Sequence, residues 1–154
     1  MIIKYLTFSI SITFISWVVG LILNLIFMKT QHYQKFSNLN FIENKSLNKN
    51  IGLGIIKWVV KNTPFKFFNP KLKLKSKVEM TDLNTLRKEM TSAEIGHLIA
   101  FVFVMIFALK ELVHLNFVFA LIIMIVNTLM NLYPSLLQQE NKRRIDKLAK
   151  LKYS

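Results

Sequence analysis

The chain has 154 residues, 53% of them hydrophobic, and carries 21 Lys+Arg against 8 Asp+Glu for a net charge of +13. That length has room for one domain; the lack of cysteine excludes a disulfide framework or a thiol nucleophile, and three histidines alone argue against a clustered transition-metal site, so no metal is expected. Four glycines and no GxGxxG or GxxxxGK[ST] exclude the usual phosphate-cradling loops.

The apolar residues are gathered into runs, and the charge sits between and after them. This is the pattern of a small integral membrane protein with basic flanks. Tyr5 to Met28 is 24 residues without a charge, about 36 Å as a helix and enough to cross a hydrocarbon core of ~30 Å. No signal-peptide cleavage site is evident, so residues 5–28 read as an uncleaved anchor with Trp17 mid-segment and Asn24 as its one amide.

Residues 29–90 form a basic connector. From Ile51 to Lys77 it interleaves Trp58, Phe65, Phe67 and Phe68 with lysines, which suits an element lying in the headgroup layer with lysine heads on anionic lipid. A platform for an anionic, phosphate-bearing substrate is the sharper reading, and nucleic acid is not expected because no separate soluble domain would carry it. Pro64 and Pro70 prevent one long helix, and "KLKLK" alternates with period two, as in a short amphipathic strand or an extended interfacial piece.

"TDLNTLRKEMTSAE" places Leu83, Leu86, Met90 and Ala93 on one helical face, so a helix capped by Thr81 or Asp82 could run into the second apolar segment. That segment, Ile95 to Leu109, has 15 residues and needs the polar entrance from Thr91 to reach spanning length, giving a second span over 92–109. The third span covers 117–137, and the short "KELVHLN" between them forces an antiparallel hairpin. Residues 29–91 hold 13 Lys/Arg against 4 Asp/Glu, and the tail 138–154 holds 6 against 2. The excess marks the cytoplasmic side. The expectation is therefore an all-α integral protein of the cell (inner) membrane with about three transmembrane helices: an N-terminal anchor and a C-terminal helical hairpin, N-terminus outside, C-terminus cytoplasmic.

Glu94 and His97 stand three apart at the entrance of the second span and share a helix face. If a helix starts at Ser92, Thr91 and Glu94 make a capping box that accounts for the carboxylate; if it starts near Asp82, Glu94 is interior. His97 could equally be a buried histidine bonded to a neighbouring helix. On the third span Asn127, Asn131, Ser135 and Gln138 or Gln139 form a polar stripe, followed by Lys142, Arg143 and Arg144. The antiparallel return brings Asn131 to Gln139 near the depth of Glu94 and His97. Polar groups gathered at one membrane depth often mark a functional site, and Tyr133-Pro134 could kink the last turns there.

At these residues the sequence resembles the glycosyl-4,4'-diaponeurosporenoate acyltransferase family of small membrane enzymes. The family pattern of a basic connector with Lys-Trp, a Glu-x-x-His and an Asn-x6-Gln-x2-Asn-[KR]-x-Arg is present as Lys57-Trp58, Glu94 and His97, then Asn131, Gln138, Asn141, Lys142 and Arg144. Gln139, Glu140 and Arg143 depart from it, standing where the pattern has an arginine, an aromatic and a proline.

The resemblance implies transfer of a fatty acyl group from acyl-CoA to a hydroxyl of a glycosylated isoprenoid or other lipidic acceptor, with no bound cofactor. Histidine has an ordinary pKa near ~6.5 and suits the role of general base. His97 is then the base and Glu94 its orienting partner. Asn131 and Gln138 would position substrate or donate to the oxyanion. Lys142 and Arg144 would meet the anionic groups of acyl-CoA, with Asn141, Lys57 and Trp58 as further binding residues. The expected partners are membrane lipids, the lipidic acceptor and acyl-CoA, with a homo-oligomer left open. Two rivals stand beside this reading: a non-catalytic membrane subunit whose polar stripe docks helices, and another lipid-directed transferase.

Overall fold

The computed structural model describes residues 1–38, 54, 62 and 80–153. In chain order its elements are α1 (Ile2–Phe27), a single turn α2 (Tyr33–Phe36), α3 (Met80–Val113), α4 (Phe117–Asn127), a π turn (Thr128–Leu132) and α5 (Tyr133–Tyr153). Every regular element among the described residues is helical, so the architecture is all-α. Ile2–Phe27, Met80–Val113 and Phe117–Leu151 are each long and apolar enough to cross a membrane, making this a multi-pass membrane protein. Lys57, Trp58 and the "KLKLK" stretch lie outside the described residues.

α1 is built inside out. Its buried residues are Ser9, Ile12, Thr13, Ser16, Gly20 and Asn24, recurring at helical spacing, while its isoleucines, leucines and phenylalanines are largely exposed. In a hydrocarbon solvent the large side chains gain nothing by hiding, and small residues let backbones approach. Gly20 shows why: a Cβ there would collide with the carbonyl of Gly96 on α3, and it would lie 3.2 Å from the Ala100 Cβ. Beside this crossing Asn24 donates its Nδ2 to the carbonyl (3.1 Å) and hydroxyl (2.9 Å) of Ser92.

α3 has 34 residues, about 51 Å, and so extends well beyond a ~30 Å hydrocarbon core. It begins at Met80, and Glu94 is therefore interior to it; no helix starts at Ser92, and a capping box has no place there. Near its far end the chain reverses over His114, Leu115 and Asn116. The amide of Asn116 bonds the Glu111 carbonyl (2.9 Å) and that of Leu115 the Leu112 carbonyl (3.0 Å), a Schellman closure with Leu115 in the left-handed region at φ 61.

The returning helix widens into the π turn directly before Tyr133 and Pro134. Proline lacks the N–H that would continue the ladder, and its ring crowds the carbonyl four residues back; a wider turn relieves both. α5 then continues through Tyr153, past the end of the apolar run. Three apolar cores hold the bundle among the described residues: Ile12, Val104, Ala108 and Ile123 toward the hairpin turn, Leu136 and Leu137 on the returning helix, and Leu83, Met90 and Ile145 toward the basic end. The short segment after α1 folds across that basic end, where Phe27 meets Tyr33 and Phe36 edge to face.

The Gly20–Gly96 crossing is asymmetric, since a Cβ on Gly96 would meet only the Gly20 carbonyl at 3.9 Å. Gly20→Ala is therefore expected to lower stability by about 1–3 kcal/mol, as overpacking does, and Gly96→Ala to be tolerated. Thermal unfolding of the two variants in detergent checks the contrast.

Candidate active site

Glu94 and His97 lie on the same side of α3 but serve different neighbours. Three residues along a helix is about 300° of rotation, which leaves the two side chains ~60° apart. On a helix packed between α1 and the α4–α5 arm, that difference sends them into separate networks.

The first network belongs to Glu94, whose side chain has no solvent exposure. Its Oε1 accepts a hydrogen bond from Gln139 Nε2 at 2.8 Å, and its Oε2 forms an ion pair with Lys142, itself almost wholly buried. Lys142 Nζ also donates to the Ser37 carbonyl at 2.9 Å, so the segment after α1 closes over the pair. Arg87 secures the same segment, donating to Asn38 Oδ1 at 2.9 Å and pairing through Nε with Asp146 at 2.7 Å. Tyr33 lies beside this closure. Burial pushes its phenol above the ordinary value; a hydrogen bond with Ser92 opposes that shift and the Glu94 carboxylate adds to it, so the hydroxyl stays protonated.

The second network surrounds Asn131, which is fully buried at the π turn. Its Nδ2 donates to Ser16 Oγ (3.2 Å) and to Asn127 Oδ1 (2.8 Å), while its Oδ1 accepts from Trp17 Nε1 at 2.9 Å. Asn127 in turn donates to the Phe101 carbonyl at 3.0 Å. The imidazole of His97 lies beside the Asn131 amide, and its ring meets that of Trp17 edge to face, centroids 6.3 Å apart. Asn131 has spent both amide protons within the bundle, and can hold the imidazole only through its oxygen. His97 and Trp17 are partly exposed, whereas Asn127 and Asn131 are sealed. His97 is thus the open edge of this network.

The remaining residues anticipated from the sequence stand nearer the surface. Gln138 is half-buried and accepts from Asn141 Nδ2 at 3.5 Å, and Asn141 also reaches the Met90 sulfur. Arg144 is exposed and pairs with Glu140 at 3.0 Å, one turn back. Ser16, Trp17 and Ser37 enter the two networks beyond the residues anticipated from the sequence, while Asn127 and Gln139 join them from the polar stripe. Trp17 did carry a signal, because an indole N–H in mid-span must find an acceptor where there is no water.

A family model described as glycosyl-4,4'-diaponeurosporenoate acyltransferase (CrtO) matches residues 29–151. The chain belongs to this family. The glycosyl-4,4'-diaponeurosporenoate acyltransferase family is one of acyltransferases in carotenoid biosynthesis, and its matched segment takes in Glu94, His97, Asn131 and Lys142 but not Ser16 or Trp17. Comparison with curated proteins and with solved structures gave no match.

Breaking one side of a buried ion pair costs about 3–5 kcal/mol, because a charge is left without compensation, whereas replacing both partners is far cheaper. Within this CrtO family chain, Lys142→Met should therefore destabilise by that amount, and the double variant Glu94→Gln with Lys142→Met should recover most of it. Unfolding midpoints of the single and double variants in detergent give the comparison.

Proposed function

We propose that this protein transfers a fatty acyl group from acyl-CoA to a hydroxyl of a glycosylated isoprenoid acceptor, with His97 as general base. The observation that carries the reading is the half-open imidazole of His97 set against the sealed amide of Asn131, in a chain of this acyltransferase family. A ring nitrogen whose proton is held by an amide oxygen leaves the other nitrogen free to accept one.

In the reaction that nitrogen takes the proton of the acceptor hydroxyl, and the oxygen attacks the thioester carbonyl. The tetrahedral intermediate collapses with cleavage of the carbon–sulfur bond, and the departing thiolate takes the proton back from the imidazolium. No covalent enzyme intermediate is needed, consistent with a chain that lacks cysteine. Gln138, whose amide nitrogen is not committed to another described side chain, is the proposed oxyanion donor, with Asn131 as a positioner. Glu94 acts from a distance: with both oxygens engaged by Gln139 and Lys142, it holds α5 against α3 at the depth of the base.

The basic end faces the cytoplasm and the N-terminus lies outside, as positive flanks dictate. Acyl-CoA then arrives where Arg144, Lys147 and Lys150 are exposed, with Asn141 nearby and the connector residues Lys57 and Trp58 supplying further contacts to donor or lipid. The acyl chain and the acceptor approach from the bilayer, past the exposed side of His97. The closed Glu94–Lys142 contact also suits a non-catalytic subunit that merely docks helices, and activity of the His97 variant separates the two readings.

His97→Ala should reduce acyl-ester formation by about 10²–10⁴-fold, the usual worth of a general base, while membrane insertion is retained; mass spectrometry of lipid extracts supplied with acyl-CoA and glycosylated acceptor reads the product. Arg144→Ala should raise KM for acyl-CoA and leave KM for the acceptor unchanged. A defect confined to the acceptor would remove Arg144 from the donor site.

A further inference from the structure

α1 precedes the segment matched to the family, yet it supplies two of the groups that hold Asn131. Ser16 Oγ accepts from Nδ2, and Trp17 Nε1 donates to Oδ1 at 2.9 Å. The indole also presents its edge geometry to His97, the two rings standing 88° apart. Trp17 occupies the middle of a span of 26 residues, where an unmet N–H would be costly. Its acceptor is the very oxygen that neighbours the imidazole.

We propose that Trp17 is a positioning residue for the reaction, and that α1 is an obligatory part of the active site rather than an anchor alone. The proposal rests on His97 as base and deepens that reading. With both Asn131 protons bound to Ser16 and Asn127, the amide is fixed in one orientation with its oxygen toward the rings. Trp17 occupies one of that oxygen's two acceptor directions. The imidazole is left the other, which fixes which ring nitrogen carries the proton. Without the indole N–H both acceptor directions of the Asn131 oxygen lie open to the imidazole, which then has no single defined tautomer. Trp17 touches no reacting atom; it acts through Asn131 and through the face it sets beside His97.

The test uses the full chain in lipid nanodiscs, with Trp17→Phe and with benzothienylalanine at position 17, which keeps the indole shape and replaces the N–H by sulfur. The expected kinetic result for both is a fall in kcat of at least tenfold, with KM for either substrate within twofold of wild type and a displaced pH–rate profile. Imidazole nitrogen NMR of ¹⁵N-His protein, assigned through His32→Gln and His114→Gln, should show one neutral tautomer of His97 in the wild type and a mixture in both variants. Unchanged tautomer and unchanged kcat in the benzothienylalanine protein overturn the proposal even where Trp17→Phe fails to fold. A wild type that transfers no acyl group removes the proposed function instead, and the NMR comparison still decides whether Trp17 positions His97.

Discussion

Glu94 is a carboxylate shut off from solvent, and its compensation governs how the last helix lies on α3. An uncompensated charge in that place is not sustainable. Lys142 and Gln139 must therefore face it together, which fixes both the rotation and the height of α5. Because Lys142 also holds the Ser37 carbonyl, the same charge determines where the chain after α1 closes over the basic end. Two turns back along the returning helix, the register so imposed leaves Asn131 facing α1 and His97. The acid is the keystone of this packing.

The π turn is the second half of that register. Asn127, Asn131, Ser135 and Gln139 are all fully or almost fully buried, yet they recur every four residues. Each such step overshoots a regular helix by about 40°, and three would carry Gln139 far round from the interior. The wider turn at Thr128–Leu132 takes back much of that drift. Pro134 thus decides more than a bend: it makes room for the turn that keeps four polar side chains on one face.

Much of this could be read from the sequence. Composition gives three spans, and the Glu-x-x-His with its returning Asn/Gln stripe points to the depth at which the polar groups meet. Glu94 and His97 share a face by spacing, but only the packing of neighbours on either side of α3 reveals that they part company. A period of 3.6 could not choose between Gln138 and Gln139, because the π turn alters the count between Asn127 and either. The inner face of α1 went unread for a different reason. Hydropathy sees an uninterrupted apolar run there, and the small or polar residues at positions 9, 13, 16, 20 and 24, together with Ile12, become a face only once their spacing, not their average, is considered.

That face has a bearing on how the molecule is put together. The hydroxyls of Ser9, Thr13 and Ser16 are satisfied within α1 itself, donating to the carbonyls of Tyr5, Ser9 and Thr13. α1 can therefore enter a bilayer alone, with only the indole of Trp17 and the amide of Asn24 awaiting partners from elsewhere. Insertion and docking are then separable events, and the second engages those two side chains, the close approach at Gly20 and the packing of Tyr5, Phe8 and Ile12 on the hairpin. Until the hairpin arrives, the indole N–H of Trp17 and the amide of Asn24 have no partners, so assembly of the bundle is what completes the hydrogen bonding of the first helix.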